Sequence, residues 1–109
     1  MDTENEFAEW VRRAQLGDRV SLDRLAEGAR QRLYAYIYRL TMNHDLAQDL
    51  LQETLLKMVE NTKELEHPER FWSWLFRTAL GVVQHHYRDL AREQAIEFSS
   101  VSRKRLSQY

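Results

Sequence analysis

Apolar residues recur at steps of three and four along most of this chain, which is the periodicity of an amphipathic α-helix. The pattern predicts four helices, over residues 3–16, 21–40, 45–61 and 68–93. Thr3 and Glu6 have the capping-box spacing that opens a helix, and Pro68 suits a first helical turn. With only three glycines and one proline, the chain has few of the residues that form the turns of a β-rich fold. We therefore predict an all-α fold in which about four helices form a compact bundle.

The helical pattern fades beyond Ala95, where the sequence reads IEFSSVSRKRLSQY. Arg103, Lys104 and Arg105 form a basic cluster in this stretch. Polar and charged sequence without a clear apolar face is typical of linkers and of chain termini. We therefore predict one domain over residues 1–94, followed by a linker or disordered basic tail over residues 95–109.

Length and composition are those of one globular domain with a single core. The chain has 109 residues, of which 43% are hydrophobic and 30% charged. No apolar run approaches the roughly 20 residues needed to span a bilayer. No signal-peptide pattern opens the chain. We therefore predict a cytoplasmic protein that does not contact a membrane.

The net charge of −1 is unevenly distributed between the two halves of the chain. Residues 1–60 carry 8 basic and 11 acidic side chains, whereas residues 61–109 carry 8 basic and 6 acidic ones. Such a division suggests a different partner for each half, although helical domains also reach this difference by chance.

Few residues of the chain suit catalysis or metal binding. The chain has no cysteine, which excludes a thiol nucleophile and a thiolate metal site. Glu64 and His67 have the spacing used in di-iron bundles, but the motif occurs only once. His85 and Asp89, four residues apart, could supply only two ligands. Glycine-rich phosphate loops and nucleophile motifs are missing too, so we predict a non-enzymatic protein without cofactor or metal.

The third predicted helix has an apolar face and an opposite face of unusual composition. The face predicted to be buried consists of Ala47, Leu50, Leu51, Thr54, Leu55 and Met58. Asp49, Gln52 and Glu53 fall together on the opposite face, and Leu56 lies one turn further on. On a face that stays in water a leucine remains exposed, whereas on a docking face the partner can bury it. We therefore predict that a partner binds this face, with an ordinary solvated face as the alternative.

The fourth predicted helix begins with FWSWLF, residues 71–76, whose aromatic side chains point to more than one side. Such residues most often pack in a core. Unpaired bases also stack on exposed aromatic rings, and Lys63, Arg70, Arg77 and Arg88 lie close in sequence. The segment therefore fits either core packing or the binding of single-stranded nucleic acid.

Together these segments resemble the second conserved region of sigma-70 family RNA polymerase sigma factors, and the extracytoplasmic-function (ECF) type in particular. DLAQDLLQETLLKMVEN, residues 45–61, and FWSWLFRTAL, residues 71–80, carry the resemblance. RLYAYIYRLTMNHDLA, residues 32–47, is similar to the lead-in of that region. The D-L-x-Q-E core followed at this distance by an aromatic-W-L-F-R helix is specific as a combination. The resemblance covers roughly residues 5–93.

The resemblance implies a transcription initiation factor domain that binds core RNA polymerase. In the family, the helix with D-L-x-Q-E docks on the clamp helices of the β′ subunit. Asp49, Gln52 and Glu53 match the contacting positions, and Leu56 would add apolar burial at the edge. An anti-sigma factor is a further candidate partner.

The resemblance also implies a role in recognising and opening the promoter minus-ten element. In the family, the later helix and the loop before it contact the non-template strand, and Arg77 matches a basic position kept in many members. A basic, aromatic surface can track phosphates while it stacks bases. The residues predicted to contact DNA are Lys63, Arg70, Trp72, Trp74, Arg77, His85, His86 and Arg88.

The chain departs from the family pattern where DNA contacts are expected. Leu80 and Gly81 replace the usual basic residue and asparagine, and His85 stands where many members have aspartate or asparagine. The connection before the last helix is acidic, with Glu64, Glu66 and Glu69. These departures keep an alternative open, namely a degenerate sigma-like helical interaction module without promoter recognition.

Complete members of the family continue into a second helical domain, whose helix-turn-helix reads the minus-thirty-five element. The sequence after Ala95 shows no such pattern. We therefore expect a truncated chain that ends in the interdomain linker, with a naturally shortened member as the alternative.

Overall fold

Four α-helices joined by short connections make up the part of the chain that the computed structural model describes, which is residues 3–107 for the backbone and 4–101 for the side chains. They are α1 (Thr3–Gln15), α2 (Arg19–Thr41), α3 (His44–Asn61) and α4 (Phe71–Ser107). Two 3-10 turns, Thr62–Glu64 and Pro68–Arg70, connect α3 to α4. Residues 3–107 contain no strand. The prediction of an all-α bundle of about four helices is confirmed.

Local capping fixes where α2 and α3 begin. Asp18 accepts hydrogen bonds from the Val20 N–H at 3.0 Å and from the Ser21 hydroxyl at 2.9 Å. The bond from Ser21 is the main cause that lowers the pKa of Asp18. Met42 adopts a left-handed conformation that ends α2, and the Asn43 side chain accepts from the Leu46 N–H at 3.1 Å. The break that the sequence predicts at residues 41–45 is therefore a C-cap followed directly by an N-cap.

The last helix differs from the sequence prediction at both ends. Pro68 begins a separate 3-10 turn, and α4 starts only at Phe71. The helix then continues for 37 residues to Ser107, whereas the sequence pattern predicts its end near residue 93. Residues 82–107 contain neither glycine nor proline, so nothing in this stretch stops a helix. Whether residues 95–109 link two domains stays a prediction.

The core forms where α2 packs against the other three helices. Its fully buried members include Leu25, Leu33, Ile37, Leu51, Met58, Phe71 and Leu75. Phe7 brings α1 onto the start of α4, with its ring 5.6 Å from that of Phe71 and 4.8 Å from that of Trp72. Gly28 of α2 has a packing role here, because an added Cβ would lie 2.9 Å from the Phe7 ring. Beyond this core α4 projects, and the molecule measures 70 × 25 × 19 Å.

Within the described residues, none of the helices combines the length and the apolar character needed to cross a bilayer.

A matched pair of leucines on α3 tests the rotation of this helix about its axis. Leu51 is buried and Leu56 is 62% exposed. We expect Leu51→Ala to lower the free energy of unfolding by about 2–5 kcal/mol, through lost transfer free energy and a residual cavity. Leu56→Ala should change it by no more than about 0.5 kcal/mol. Denaturant unfolding measures both, and equal effects of the two substitutions would mean that α3 is rotated.

Candidate functional site

The outward face of α3 carries the side chains that the sequence predicts to bind polymerase. Asp49, Gln52, Glu53 and Leu56 are all exposed, because Leu51, Leu55 and Met58 on the opposite side are buried in the core. The burial pattern of α3 therefore agrees with the rotation expected from the leucine spacing.

The polar side chains of this face have no partner inside the described part of the molecule. Asp49, Gln52 and Glu53 form no side-chain hydrogen bond and no ion pair among residues 4–101. Two carboxylates and one amide therefore remain free to bind charged or polar groups of another molecule.

An apolar edge borders these polar groups. Leu56 is 62% exposed, and Val59, three residues later, is 42% exposed. Residues three apart are neighbours on a helix surface, so the two form one small apolar edge. Sequence reasoning did not select Val59, although the same three-residue spacing could have found it. Polar groups beside an apolar edge are the arrangement of a protein-binding surface.

A groove of about 500 Å³ lies between α3 and α4. The α3 wall contains Glu53, Lys57 and Asn61. The α4 wall contains Arg77, Thr78, Gly81, Val82, His85 and Arg88. Of the residues predicted to contact DNA, the structure thus brings Arg77, His85 and Arg88 together. Sequence reasoning missed Lys57 and Asn61 as their neighbours, because they belong to another helix.

The charges of this groove are mostly positive and mostly unneutralised. Lys57, Arg77 and Arg88 are exposed, and none of them forms an ion pair with another described residue. His85 differs, because its Nε2 lies 3.2 Å from a carboxylate oxygen of Asp89. Glu53 is the one carboxylate in the lining of the groove. Such a surface attracts anions.

Gly81 leaves the middle of the α4 wall open. An added Cβ at this position would meet no heavy atom within 4 Å. Glycine is therefore not required here by packing, in contrast to Gly28. Its effect is to leave space in the groove at a position that its neighbours do not fill.

The two tryptophans predicted to contact DNA have different environments. Trp72 is only 8% exposed, so this ring belongs to the core and offers no open face for stacking. The Arg32 guanidinium covers it, 4.3 Å from the ring centroid. Its buried indole N–H has no hydrogen-bond partner among the described residues. Trp74 is half-buried and keeps part of its ring accessible.

The remaining predicted DNA contacts lie outside the groove. Lys63 and Arg70 are exposed on the two 3-10 turns. Gln15 holds this connection by donating to the carbonyls of Thr62 at 3.1 Å and Leu65 at 2.7 Å. His86 is half-buried and its ring lies edge-on to Tyr87, so less of it reaches solvent than of His85.

The described residues contain no group of three histidine, cysteine or acidic side chains placed to hold a metal ion. His85 and Asp89 contact each other, but among the described residues no third histidine or acidic side chain joins them in a metal-binding group. What the described residues present is an exposed, largely polar face on α3 beside a basic groove between α3 and α4.

Comparison with known proteins identifies the family to which this fold belongs. The family described as Sigma-70 region 2 matches residues 25–93, which is more than half of the chain. The chain therefore belongs to the sigma-70 region 2 family, as the sequence motifs indicate. The matched range contains α3, its connection to α4 and every residue of the groove.

Two curated relatives are similar over parts of this range. The RNA polymerase sigma-H factor of Pseudomonas aeruginosa is 27% identical over 86 residues, which cover 79% of this chain and 45% of the relative. The RNA polymerase sigma factor HrpL of Pseudomonas syringae pv. syringae is 30% identical over 63 residues, which cover 58% of this chain and 34% of the relative. The chain thus spans less than half the length of either relative. No solved structure matches it.

Proposed function

We propose that this chain is the part of an ECF-type sigma factor that binds core RNA polymerase and directs it to promoters. The observation that carries the proposal is the outward face of α3, where Asp49, Gln52 and Glu53 have no partner among the described side chains and Leu56 is exposed. The matched relatives are named as RNA polymerase sigma factors, which supports the same function. In this proposal the protein acts in the cytoplasm and catalyses no reaction.

The proposed surface for polymerase is the α3 face, and its target is the coiled-coil clamp of the β′ subunit. Carboxylates and an amide can form charge-assisted hydrogen bonds with basic side chains of a partner helix. Leu56 and Val59 would add apolar burial at the edge of the contact. Polar groups would then set the register of docking, while the apolar edge would lower the dissociation rate.

The proposed surface for DNA is the basic groove between α3 and α4. Its target is the non-template strand of the minus-ten element, held through phosphate contacts by Arg77 and Arg88. Trp74 is the aromatic side chain that supports stacking, because Trp72 is buried. The strand then binds mainly by charge, with fewer stacking rings than the FWSWLF segment suggests.

One observation favours a second candidate function, a sigma-like interaction module that does not recognise promoter DNA. The connection between α3 and α4 exposes Glu64, Glu66 and Glu69, whose charges repel a DNA backbone. In that case the α3 face would still bind polymerase or a regulator such as an anti-sigma factor. A measurement of DNA binding therefore distinguishes the two candidate functions, whereas a measurement of polymerase binding does not.

A double substitution tests the polymerase surface. We expect Gln52→Ala with Glu53→Ala to weaken binding to a β′ clamp-helix fragment by about tenfold or more, because two charge-assisted or polar contacts are lost. The matched control is Glu93→Ala with Gln94→Ala, which removes the same two residue types from an exposed part of α4. Titration by fluorescence anisotropy measures the dissociation constants. Equal affinity of the two double variants would contradict the docking face.

A single substitution tests the DNA surface. Arg77→Ala should weaken binding to a single-stranded minus-ten oligonucleotide and reduce the slope of log K against log salt by about 0.7, the value for one phosphate contact on a single strand. Arg24→Ala is the control, since Arg24 is exposed on α2 and does not line the groove. If Arg77→Ala leaves both affinity and slope unchanged, promoter binding by this surface fails and the interaction module is the better account.

A further inference from the structure

Gln15, the last residue of α1, bridges to the connection between α3 and α4. Its side-chain Nε2 donates to the carbonyl oxygen of Thr62 at 3.1 Å and to that of Leu65 at 2.7 Å. Gln15 is half-buried, and the two bonds join residues that are 47 and 50 positions apart in the sequence. One side chain therefore ties α1 to the first residue of the 3-10 turn and to the residue that follows the turn.

The turn has few other hydrogen bonds to hold it. The Leu65 N–H donates to the Thr62 carbonyl at 3.2 Å. The Leu65 carbonyl has no partner among the described residues besides Gln15. Without Gln15 this half-buried carbonyl would lose its hydrogen bond, which is unfavourable unless the chain moves towards water. Gln15 therefore fixes the path of the chain at this point.

The far end of the connection also rests on α1. This helix contacts both 3-10 turns, and its Phe7 stacks on Phe71, directly after the second turn, with ring centroids 5.6 Å apart. Both Phe7 and Gln15 lie outside residues 25–93, which match the family. The placement of the connection thus depends on a helix that the family match does not include.

The connection continues one wall of the basic groove. Asn61 lines the groove, and Thr62 follows it directly. Lys63 lies between the two carbonyls that Gln15 holds, and its side chain is exposed. A strand that lies in the groove and continues past Asn61 would therefore meet this turn next.

The exposed groups of the connection suit bases better than phosphates. Glu64, Glu66 and Glu69 carry exposed carboxylates, which repel phosphate but can accept hydrogen bonds from the amino groups of bases. The backbone N–H groups of Glu66 and His67 have no partner among the described residues and can donate. Hydrogen bonds weaken steeply with poor distance or angle, so such contacts distinguish bases only where the chain is held in place.

We propose that Gln15 is a positioning residue, which holds the turn at residues 62–65 and thereby sets the sequence selectivity of a bound DNA strand. The inference rests on the proposed DNA-binding function and adds to it a role for α1. Affinity has a separate source, because Arg77 and Arg88 lie in the groove and do not contact Gln15. Loss of the Gln15 hydrogen bonds should therefore lower selectivity much more than affinity.

Gln15→Met tests the two hydrogen bonds, since methionine has a similar length and shape but no N–H to donate. We expect the Leu65 amide to exchange about tenfold faster in this variant, because the turn opens more readily when two hydrogen bonds are lost. Hydrogen exchange followed by NMR measures this rate. The helical circular dichroism should stay that of the native chain.

The selectivity measurement uses the full 109-residue chain with core RNA polymerase and labelled single-stranded minus-ten oligonucleotides, each with one base replaced. At one position or more, replacement should weaken binding by the native chain about fivefold or more, which is the usual effect of one wrong base. For Gln15→Met we expect this factor to fall below about twofold, since the contacting groups are no longer held in place. Its affinity for the preferred oligonucleotide should change less than about threefold, with the same salt slope, because the phosphate contacts remain.

Two further variants serve as controls. Gln31→Met makes the same replacement at an exposed position of α2 that forms no hydrogen bond with another described residue. It should leave amide exchange and selectivity unchanged. Gln15→Lys keeps N–H donors on a side chain long enough to reach both carbonyls, so its selectivity should stay within about twofold of the native value.

Each other result overturns the inference. If Gln15→Met keeps the native selectivity, or if Gln15→Lys loses as much of it as Gln15→Met, donation by Gln15 does not position the connection. If Gln15→Met weakens binding of every oligonucleotide equally, the residue has only a structural role. If the native chain binds DNA without preferring any base, the inference fails, while a loss of affinity in Arg77→Ala leaves the proposed function standing. If no oligonucleotide binds, with or without core polymerase, both fail.

Discussion

The rotation of α3 about its own axis is the constraint on which both proposed surfaces depend. Leu51, Leu55 and Met58 are held in the core beneath α2 and α4, which turns Asp49, Gln52 and Glu53 to the outside. A different rotation would bury carboxylates without partners, at a cost of several kcal/mol each. The same burial points Lys57 and Asn61 sideways, towards α4. Core packing therefore decides which side chains of α3 face outward and which face the groove.

The aromatic start of α4 shows how packing limits the surface available for nucleic acid. Phe7 of α1 packs against Phe71 and Trp72, and Gly28 permits this close approach of α1 to α2. Arg32 then covers the Trp72 ring, so a cation that could bind phosphate is used within the fold. In the proposed DNA surface, binding would therefore depend more on the charge and shape of the groove than on stacking against Trp72.

Helical periodicity was sufficient to predict the helices and the two faces of α3, because one strong apolar stripe fixes the orientation of each helix. It was not sufficient for Trp72, since the aromatics of FWSWLF point in several directions and the contacts of this ring with Phe7 and Arg32 come from other helices. The end of α4 was missed for another reason. Its sequence lacks an apolar face, yet it also lacks glycine and proline, and local propensity then favours helix. The groove is lined by both Lys57 of α3 and Gly81 of α4. The spacing of residues along the sequence does not show that residues of two different helices share one groove.

Glu53 connects the two proposed surfaces, because it is exposed on the docking face and also lines the groove. A basic side chain of polymerase that pairs with this carboxylate would neutralise the one carboxylate that lines the groove with Lys57, Arg77 and Arg88. The groove would then attract a DNA strand more strongly in the complex with polymerase than in the free protein. Linkage requires the converse, so a bound strand would strengthen docking by the same factor. Under this mechanism the free protein would bind DNA more weakly than the complex because Glu53 still carries an uncompensated charge, and assembly would remove that obstacle without any change of fold.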